Sequence, residues 1–341
     1  MSIMSDNGSS PPECPSSWFL AASSRQLRRN RIVDLVIGPQ ALVLFRGQKS
    51  GQVYALDAHC PHMGCHLRHG EIAGDALQCA LHLRTIRGEG VCSSIPRIEP
   101  GNPSQLQRSF PVIERLDAVF VFLGQEPLFD FPTPEIEDEG PIRTHVTDSF
   151  AIDTPWYVLV ANGLDVDHLE AVHKRSLINE PSWQIIAPQI MKLNYRSRVT
   201  GRKLSDRFMQ WASSNEIQVN ISILGGALFM VEVEVGSRKT CLILSMRPSA
   251  NGTSIRGITC IQQNKGILPA AISIRLASWL FQSFLKRDVW VLDDMRFHGP
   301  RHEDTLGDKI INCVLSHFST LPAYRSSSDA ISAQVPDKKA G

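Results

Sequence analysis

The sequence predicts an α+β protein of two domains, and three observations carry that expectation. Residues 18–126 are dominated by short β-branched or aromatic runs broken by Gly, Pro and Asn, the pattern of an all-β unit. Residues 142–325 hold a second, longer series of such runs, as in an antiparallel sheet. An amphipathic stretch then runs from Gly266 to Leu285 and on to about Arg296, which reads as a long C-terminal helix. Between the two domains, residues 127–141 hold four prolines and five acidic residues and read as a linker.

Taken in order, residues 1–17 are polar, with Pro11, Pro12 and Pro15 and no apolar run of the kind a signal peptide needs. A flexible tail is expected there. Arg25, Arg28, Arg29 and Arg31 form a basic cluster, read as solvated surface with docking of an acidic protein as the alternative. Strands are expected at 32–37, 41–45, 53–56 and 118–123, with irregular Cys/His-rich loops between the third and fourth. In the second domain they are expected at 217–223, 227–235, 240–246 and 254–261. In the helix that follows, Ile272, Leu276, Leu280 and Phe284 recur every four residues and should face the core. Arg275, Ser278, Gln282 and Lys286 form a polar stripe that a membrane-spanning helix would not turn to lipid, so no membrane segment is expected. A last helix is expected over 302–318, before a Ser-rich tail at 326–341.

Composition narrows the function. A hydrophobic fraction of 43% with 20% charged residues describes a soluble globular protein. Thirty-five basic against thirty-four acidic residues leave a net charge of +1, which gives no general affinity for nucleic acid or an anionic membrane. Eight cysteines without a leader point to a reducing cytoplasm, where clustered Cys and His favour metal over disulfides.

Two clusters carry chemistry. Cys60-Pro-His62 is followed, after sixteen intervening residues, by Cys79-Ala-Leu-His82. Two Cys and two His in paired loops suit zinc or a Rieske [2Fe–2S] cluster, in which two His replace two Cys on one iron. Here each loop offers one of each, so each can give its Cys to one iron and its His to the other; zinc fingers tend to pair like with like. The second cluster is Asn162-Gly-Leu-Asp-Val-Asp-His-Leu-Glu-Ala-Val-His173, where Asp165, His168 and His173 interrupt an apolar segment. Two histidines and a carboxylate would make the facial triad of reactive non-haem Fe(II); buried structural histidines are the plainer reading. On an ideal helix five residues at ~100° leave His168 and His173 ~140° apart, so a helix end or π-bulge is required.

Together, Cys60-Pro-His-Met-Gly-Cys-His-Leu67, Cys79-Ala-Leu-His82 and Gly88-Glu-Gly90 resemble the Rieske motif, and Asp165-x2-His168-x4-His173 resembles the iron motif of Rieske non-haem iron oxygenases. The likeness spans about residues 18–325, nearer the single-subunit monooxygenase and N-oxygenase branch. It implies an N-terminal Rieske domain and a helix-grip, START-like catalytic domain with a long C-terminal helix. It makes Cys60, His62, Cys79 and His82 the cluster ligands and His168 and His173 iron ligands. Asp165 becomes the bridge from cluster His82 to His168 across a head-to-tail trimer boundary, and Asn162 a polar neighbour of the iron. One departure is His82-Leu83-Arg84, where the family usually reads His-Gly-Trp. In respiratory Rieske proteins a disulfide braces the loops; here Cys65 fits the first position but Leu81 occupies the second, so Cys65 reads as a packed loop thiol. Cys14, Cys92, Cys241, Cys260 and Cys313 read as structural, and His145 and His317 as ordinary histidines.

The third iron ligand must come from afar. Extending the row Ile272, Leu276, Leu280, Phe284 by four reaches Asp288, whereas Asp293 falls ~180° from Phe284, toward solvent. Asp288 also fits the family's Asp-x2-(Ile/Val) segment; Asp294 is the second candidate. The implied activity is that of a terminal oxygenase using O2, Fe(II) and electrons from NAD(P)H through a ferredoxin or flavin reductase, because no dinucleotide fingerprint is present. Monooxygenation of an aromatic or alicyclic small molecule in secondary metabolism is the favoured reaction. N-oxygenation, demethylation, desaturation and oxidative cyclisation are alternatives, and residues 221–235 are the expected pocket wall. A Rieske electron carrier and a zinc-bound regulatory module are the readings from other classes.

Overall fold

A computed structural model of the chain describes residues 10–326, apart from 29, 94–106, 214, 237, 264–268 and 293. The first domain begins with β1 (Trp18–Ser23), β2 (Ile32–Ile37), β3 (Gln40–Arg46) and β4 (Val53–Asp57). Four very short strands follow: β5 (Glu71–Ala73), β6 (Ala76–Gln78), β7 (Thr85–Arg87) and β8 (Cys92–Ser93). The domain closes with β9 (Ser109–Phe110), β10 (Val112–Arg115) and β11 (Ala118–Phe122). They make three antiparallel sheets, β1-β11-β10, β2-β3-β4-β9 and β5-β6-β7-β8. The last sheet corrects the expectation of irregular loops between β4 and β11. Its strands are too short to show a period of two in sequence.

The second domain contains β12 (Ile142–Val146), β13 (Phe150–Ile152), α1 (Trp156–Leu164), α2 (Val166–Ala171), β14 (Arg175–Leu177), β15 (Ser182–Ala187) and β16 (Ile190–Val199). Then come α3 (Leu204–Ala212), β17 (Ile217–Leu224), β18 (Leu228–Val235), β19 (Arg238–Ser249), β20 (Gly252–Gln262), α4 (Ala270–Leu292) and α5 (Leu306–Ser319). The strands join one nine-stranded sheet in the order β12-β20-β19-β18-β17-β16-β14, with β13 on β20 and β15 on β16. One face of it, with Leu193, Ile221 and Leu244, packs toward α1 and α5. The other face, with Leu228, Met230 and Ile243, packs on Trp18, Phe120 and Phe122 of the first domain. Burial on both faces explains why the middle of β19 reads as an unbroken apolar run rather than an alternating one.

Two expected irregular segments are packed. Within residues 127–141, Phe131 and Ile136 are buried between the two sheets, and Glu139 pairs with Lys239 at 2.8 Å. The expected flexible tail does not extend to residue 17: Cys14 and Ser17 are buried and Pro15 bridges Ala323. Its backbone also takes part, since the Trp156 indole donates to the Pro12 carbonyl at 3.0 Å. Residues 1–9 and most of the C-terminal tail, 327–341, lie outside the described residues, as do Arg29 of the basic cluster and Gly266 at the start of the expected helix.

Helix α4 needs a further correction. Ile272 is 52% exposed, whereas Ser278, assigned to the polar stripe, is 4% exposed with its hydroxyl 3.2 Å from His145 Nδ1. The helix has two inward faces. Ile274 and Ser278 pack toward the sheet, while Leu276, Leu280 and Phe284 line a cavity that ends at Asp288. Among the described residues no helix is long and apolar enough to cross a membrane.

Candidate metal centres

The chain from Asn162 to His173 is shaped by one residue. α1 ends at Leu164, and Asp165 leaves the helical region (φ −72°, ψ 107°). Its Oδ1 accepts the N–H groups of Asp167 at 2.9 Å and His168 at 3.1 Å and so caps α2. α2 ends at Ala171, and Lys174 is left-handed at φ +54°. His173 therefore sits past a helix end, which removes the ~140° separation an ideal helix would impose. Its ring stacks on Phe284, with centroids 3.5 Å apart and planes 2° from parallel.

The backbone thus aims His168 and His173 at α4. Asp288 Oδ1 lies 2.8 Å from His168 Nε2 and 2.6 Å from His173 Nε2, and the two ring nitrogens are 3.2 Å apart. Asn162 Nδ2 is 3.3 Å from both His168 Nε2 and Asp288 Oδ1. Asp294 is exposed beyond the end of α4 and joins no such cluster, and Asp293 lies outside the described residues. Burial lowers the pKa of His173, with Asp288 opposing. For Asp288 burial acts upward, but the two imidazoles hold the carboxyl below its usual range. Asp165 is pushed up by burial, partly offset by the N–H groups it caps.

Behind the cluster lies a network that the sequence did not signal. Arg287 donates to the His173 carbonyl at 3.3 Å and to Asp206 at 3.1 and 3.2 Å, and Arg175 lies 3.7 Å from Asp206. Asp206 is 1% exposed and also accepts the Lys203 N–H at the start of α3. Asp206 lies 81 residues from Arg287, and Arg287 lies 114 residues from His173, so no local pattern announces them. In front of the cluster opens a cavity of about 810 Å³, walled by Ile221, Val231 and Val233 where the pocket wall was expected, with Leu242, Leu280 and Phe281.

The Cys/His loops of the first domain are alike. Gly64 N–H donates to the Cys60 carbonyl and Leu83 N–H to the Cys79 carbonyl, each at 2.9 Å. Gly64 (φ +75°) and Leu83 (φ +57°) are both left-handed, each four residues after its cysteine. Cys60 and Cys79 are 3% and 2% exposed, within a cluster that includes Val43, Phe45 and Leu77. His62 and His82 sit at the rim with ring centroids 4.7 Å apart. Burial pushes both thiols up. At Cys79 the N–H groups of Leu81 and His82 and the neighbouring thiols overcome that and hold it below the ordinary value.

Both donor sets fit the groups their chemistry suggests. The ligand atoms of His168, His173 and Asp288 lie within 4.8 Å of one another, two imidazoles and one carboxylate on one side of an open cavity. The paired loops put thiolates, with N–H groups aimed at them, at the base and imidazoles at the surface, a disposition suited to a mixed Cys/His iron–sulfur cluster.

Comparison with known proteins agrees. Residues 17–113 match the Rieske [2Fe-2S] domain family. Over 175 residues the chain is 30% identical to cholesterol 7-desaturase of Bombyx mori, covering 50% of this chain and 38% of that protein. Over 179 residues it is 29% identical to the oxygenase component of 3-ketosteroid-9-alpha-monooxygenase of Rhodococcus rhodochrous, covering 49% and 46%. The chain thus spans less than half the length of these relatives. The structure of dicamba monooxygenase bound to dicamba shares the fold, with a TM-score of 0.69 at 20% identity, over 89% of this chain and 97% of that one.

Proposed function

The chain belongs to the Rieske non-haem iron oxygenases, whose cofactors are a Rieske [2Fe–2S] cluster and a mononuclear iron, and on that premise we propose that it is a terminal oxygenase. The observation that carries this is the convergence of His168, His173 and Asp288 at one end of an apolar cavity in a chain with a Rieske domain. In this reading Cys60 and Cys79 hold one iron of the cluster, His62 and His82 the other, and the triad holds the mononuclear iron. That iron, with two imidazoles and a carboxylate on one face, supplies open positions for O2 activation.

The remaining steps belong to the chain's own residues. Apolar walls keep water from the reacting carbon. Phe284 and Arg287 fix His173 through its ring and its carbonyl. Asn162 places an amide beside both His168 and Asp288 and donates to the Asp288 carboxylate, which helps hold that ligand in place. In a head-to-tail homotrimer Asp165 would bridge His82 of a neighbouring subunit's cluster to His168. Among the described residues it hydrogen-bonds only the N–H groups it caps, which leaves that role to the assembly. A ferredoxin or flavin reductase supplies electrons from NAD(P)H, in a cytoplasmic setting.

The favoured reaction is monooxygenation of an aromatic or alicyclic small molecule in secondary metabolism. Two relatives, one named for cholesterol and one for 3-ketosteroids, support the alicyclic choice. Desaturation, demethylation, N-oxygenation and oxidative cyclisation use the same centres. Protein purified without oxygen should hold about three irons per chain, two of them in a cluster with labile sulfide. Zinc without sulfide would sink the reading, and about two irons per chain would mark an electron carrier. Asp165→Asn keeps a capping side chain. It should leave both sites loaded while largely stopping turnover; unchanged turnover removes the bridge role.

A further inference from the structure

The cavity beside the triad is long as well as wide, and two independent rulers agree on its length. On β18 the lining residues run from Phe229 to Val235, ~20 Å at the usual strand rise. On α4 they run from Ser273 to Asp288, ~22 Å at the helical rise. Phe229 marks the metal end, because its ring lies 2.7 Å from where a Cβ on Gly163 would stand, one residue from Asn162. The sheet register sets the opposite end, pairing Val235 with Arg238, Val233 with Thr240, and Thr240 with Ile261.

Polarity divides along the same axis. Val231, Leu242, Leu280 and Phe281 wall the middle with apolar side chains, and Tyr195 stands on the same register row as Val233 and Thr240. At the metal end Arg175, Asp206 and Arg287 largely engage one another. At the far end Arg238, Thr240 and Gln262 line the cavity, with Arg238 exposed and Lys239 already held by Glu139. A single-ring acid would fill only part of about 810 Å³ and leave apolar wall in contact with water. A flexible chain would fill the length but lose rotamer freedom in a straight slot, whereas fused rings are already ordered.

We infer that the substrate is a rigid, largely apolar molecule of sterol length. Its polar group lies at the Arg238–Thr240–Gln262 end, and its hydrocarbon part reaches the triad. This rests on the terminal-oxygenase reading and adds size, shape and direction to it.

The test is binding to the full-length ferrous holoenzyme, read by tryptophan fluorescence and by the EPR spectrum of the iron with nitric oxide. The probes are cholesterol, cholesteryl sulfate and dicamba, the sterols delivered in cyclodextrin. Cholesterol should bind at least about tenfold tighter than dicamba. Cholesteryl sulfate should bind at least as well as cholesterol, and Arg238→Ala should weaken only the sulfate, by about tenfold. Val231→Trp, which plugs the middle from the sheet, should weaken both sterols by about tenfold or more with both metal sites still loaded. Leu280→Trp repeats the plug from α4 should the first variant fail to fold. Tighter binding of dicamba overturns the size, exclusion of the sulfate overturns the direction, and full sterol binding in both plugged variants overturns the location. Wild type lacking the mononuclear iron would sink the oxygenase reading itself, whereas loaded iron without sterol binding sinks this inference alone.

Discussion

The paired loops of the first domain and the triad of the second hold their donors by different means. In the loops, each Cys and His are two or three residues apart, and one tight turn carries each pair. In the triad, His168 and Asp288 are 120 residues apart and meet only because α4 crosses the end of α2. In the loops His82 is exposed and His62 half-buried, whereas His173 is 2% exposed. A donor set built by local turns should survive damage elsewhere. One built by packing should be sensitive to whatever holds the helices.

The largest expected effect tests that separation. Asp288→Ala should empty the mononuclear site and abolish turnover while the cluster's EPR signal persists, because the two centres share no side chain. Metal analysis of Asp294→Ala gives the control: loss of mononuclear iron there would overturn the choice of Asp288.

A smaller effect asks how far the triad depends on its surroundings. Asp206→Ala leaves Arg175 and Arg287 without their carboxylate in a buried setting and should cost about 3–5 kcal/mol of stability. Denaturant unfolding would measure it, with mononuclear iron bound more weakly and the cluster spectrum unchanged. Equal loss of both metals would break the comparison.

The smallest concerns the loops. Leu83 occupies a left-handed position at φ +57°, where a side chain costs ~1–2 kcal/mol, while the matching position of the other loop is Gly64. Leu83 is 54% exposed, so Leu83→Gly removes little packing. It should raise the stability of the first domain by about 1 kcal/mol net of glycine's greater freedom when unfolded. Thermal melts would show it as a shift of a few degrees. The His82-Leu83-Arg84 departure is thereby given a physical meaning, a strained turn beside a candidate cluster histidine; a melt that does not move would remove that account.

Legibility follows the same division. The four candidate donors of the first centre and the two candidate histidines of the second stand in short motifs, so residue order alone displays them. Asp288 was reachable because a helix repeats every 3.6 residues and the row through Phe284 could be extended. The same row misled about Ile272 and Ser278, since periodicity reveals that a helix has faces but not that one of them meets a cavity. The sheet β5–β8, the packed segment around Phe131 and Ile136, and the Arg175–Asp206–Arg287 network left no sequence signal. Their partners are either too short to be periodic or too distant to be neighbours.

By itself, then, the sequence determined the candidate donors, the α+β order of the chain and most of the long strands, because each depends on residue type and near spacing. Only the tertiary structure decided how the centres are finished. A helix end at Ala171 turns His173 toward His168, and α4 carries Asp288 to both. The nine-stranded sheet and that helix enclose a space some ~20 Å long between them. The physical reason is the same in each case: these are contacts between segments distant in the chain, set by how faces pack and not by the residues beside them.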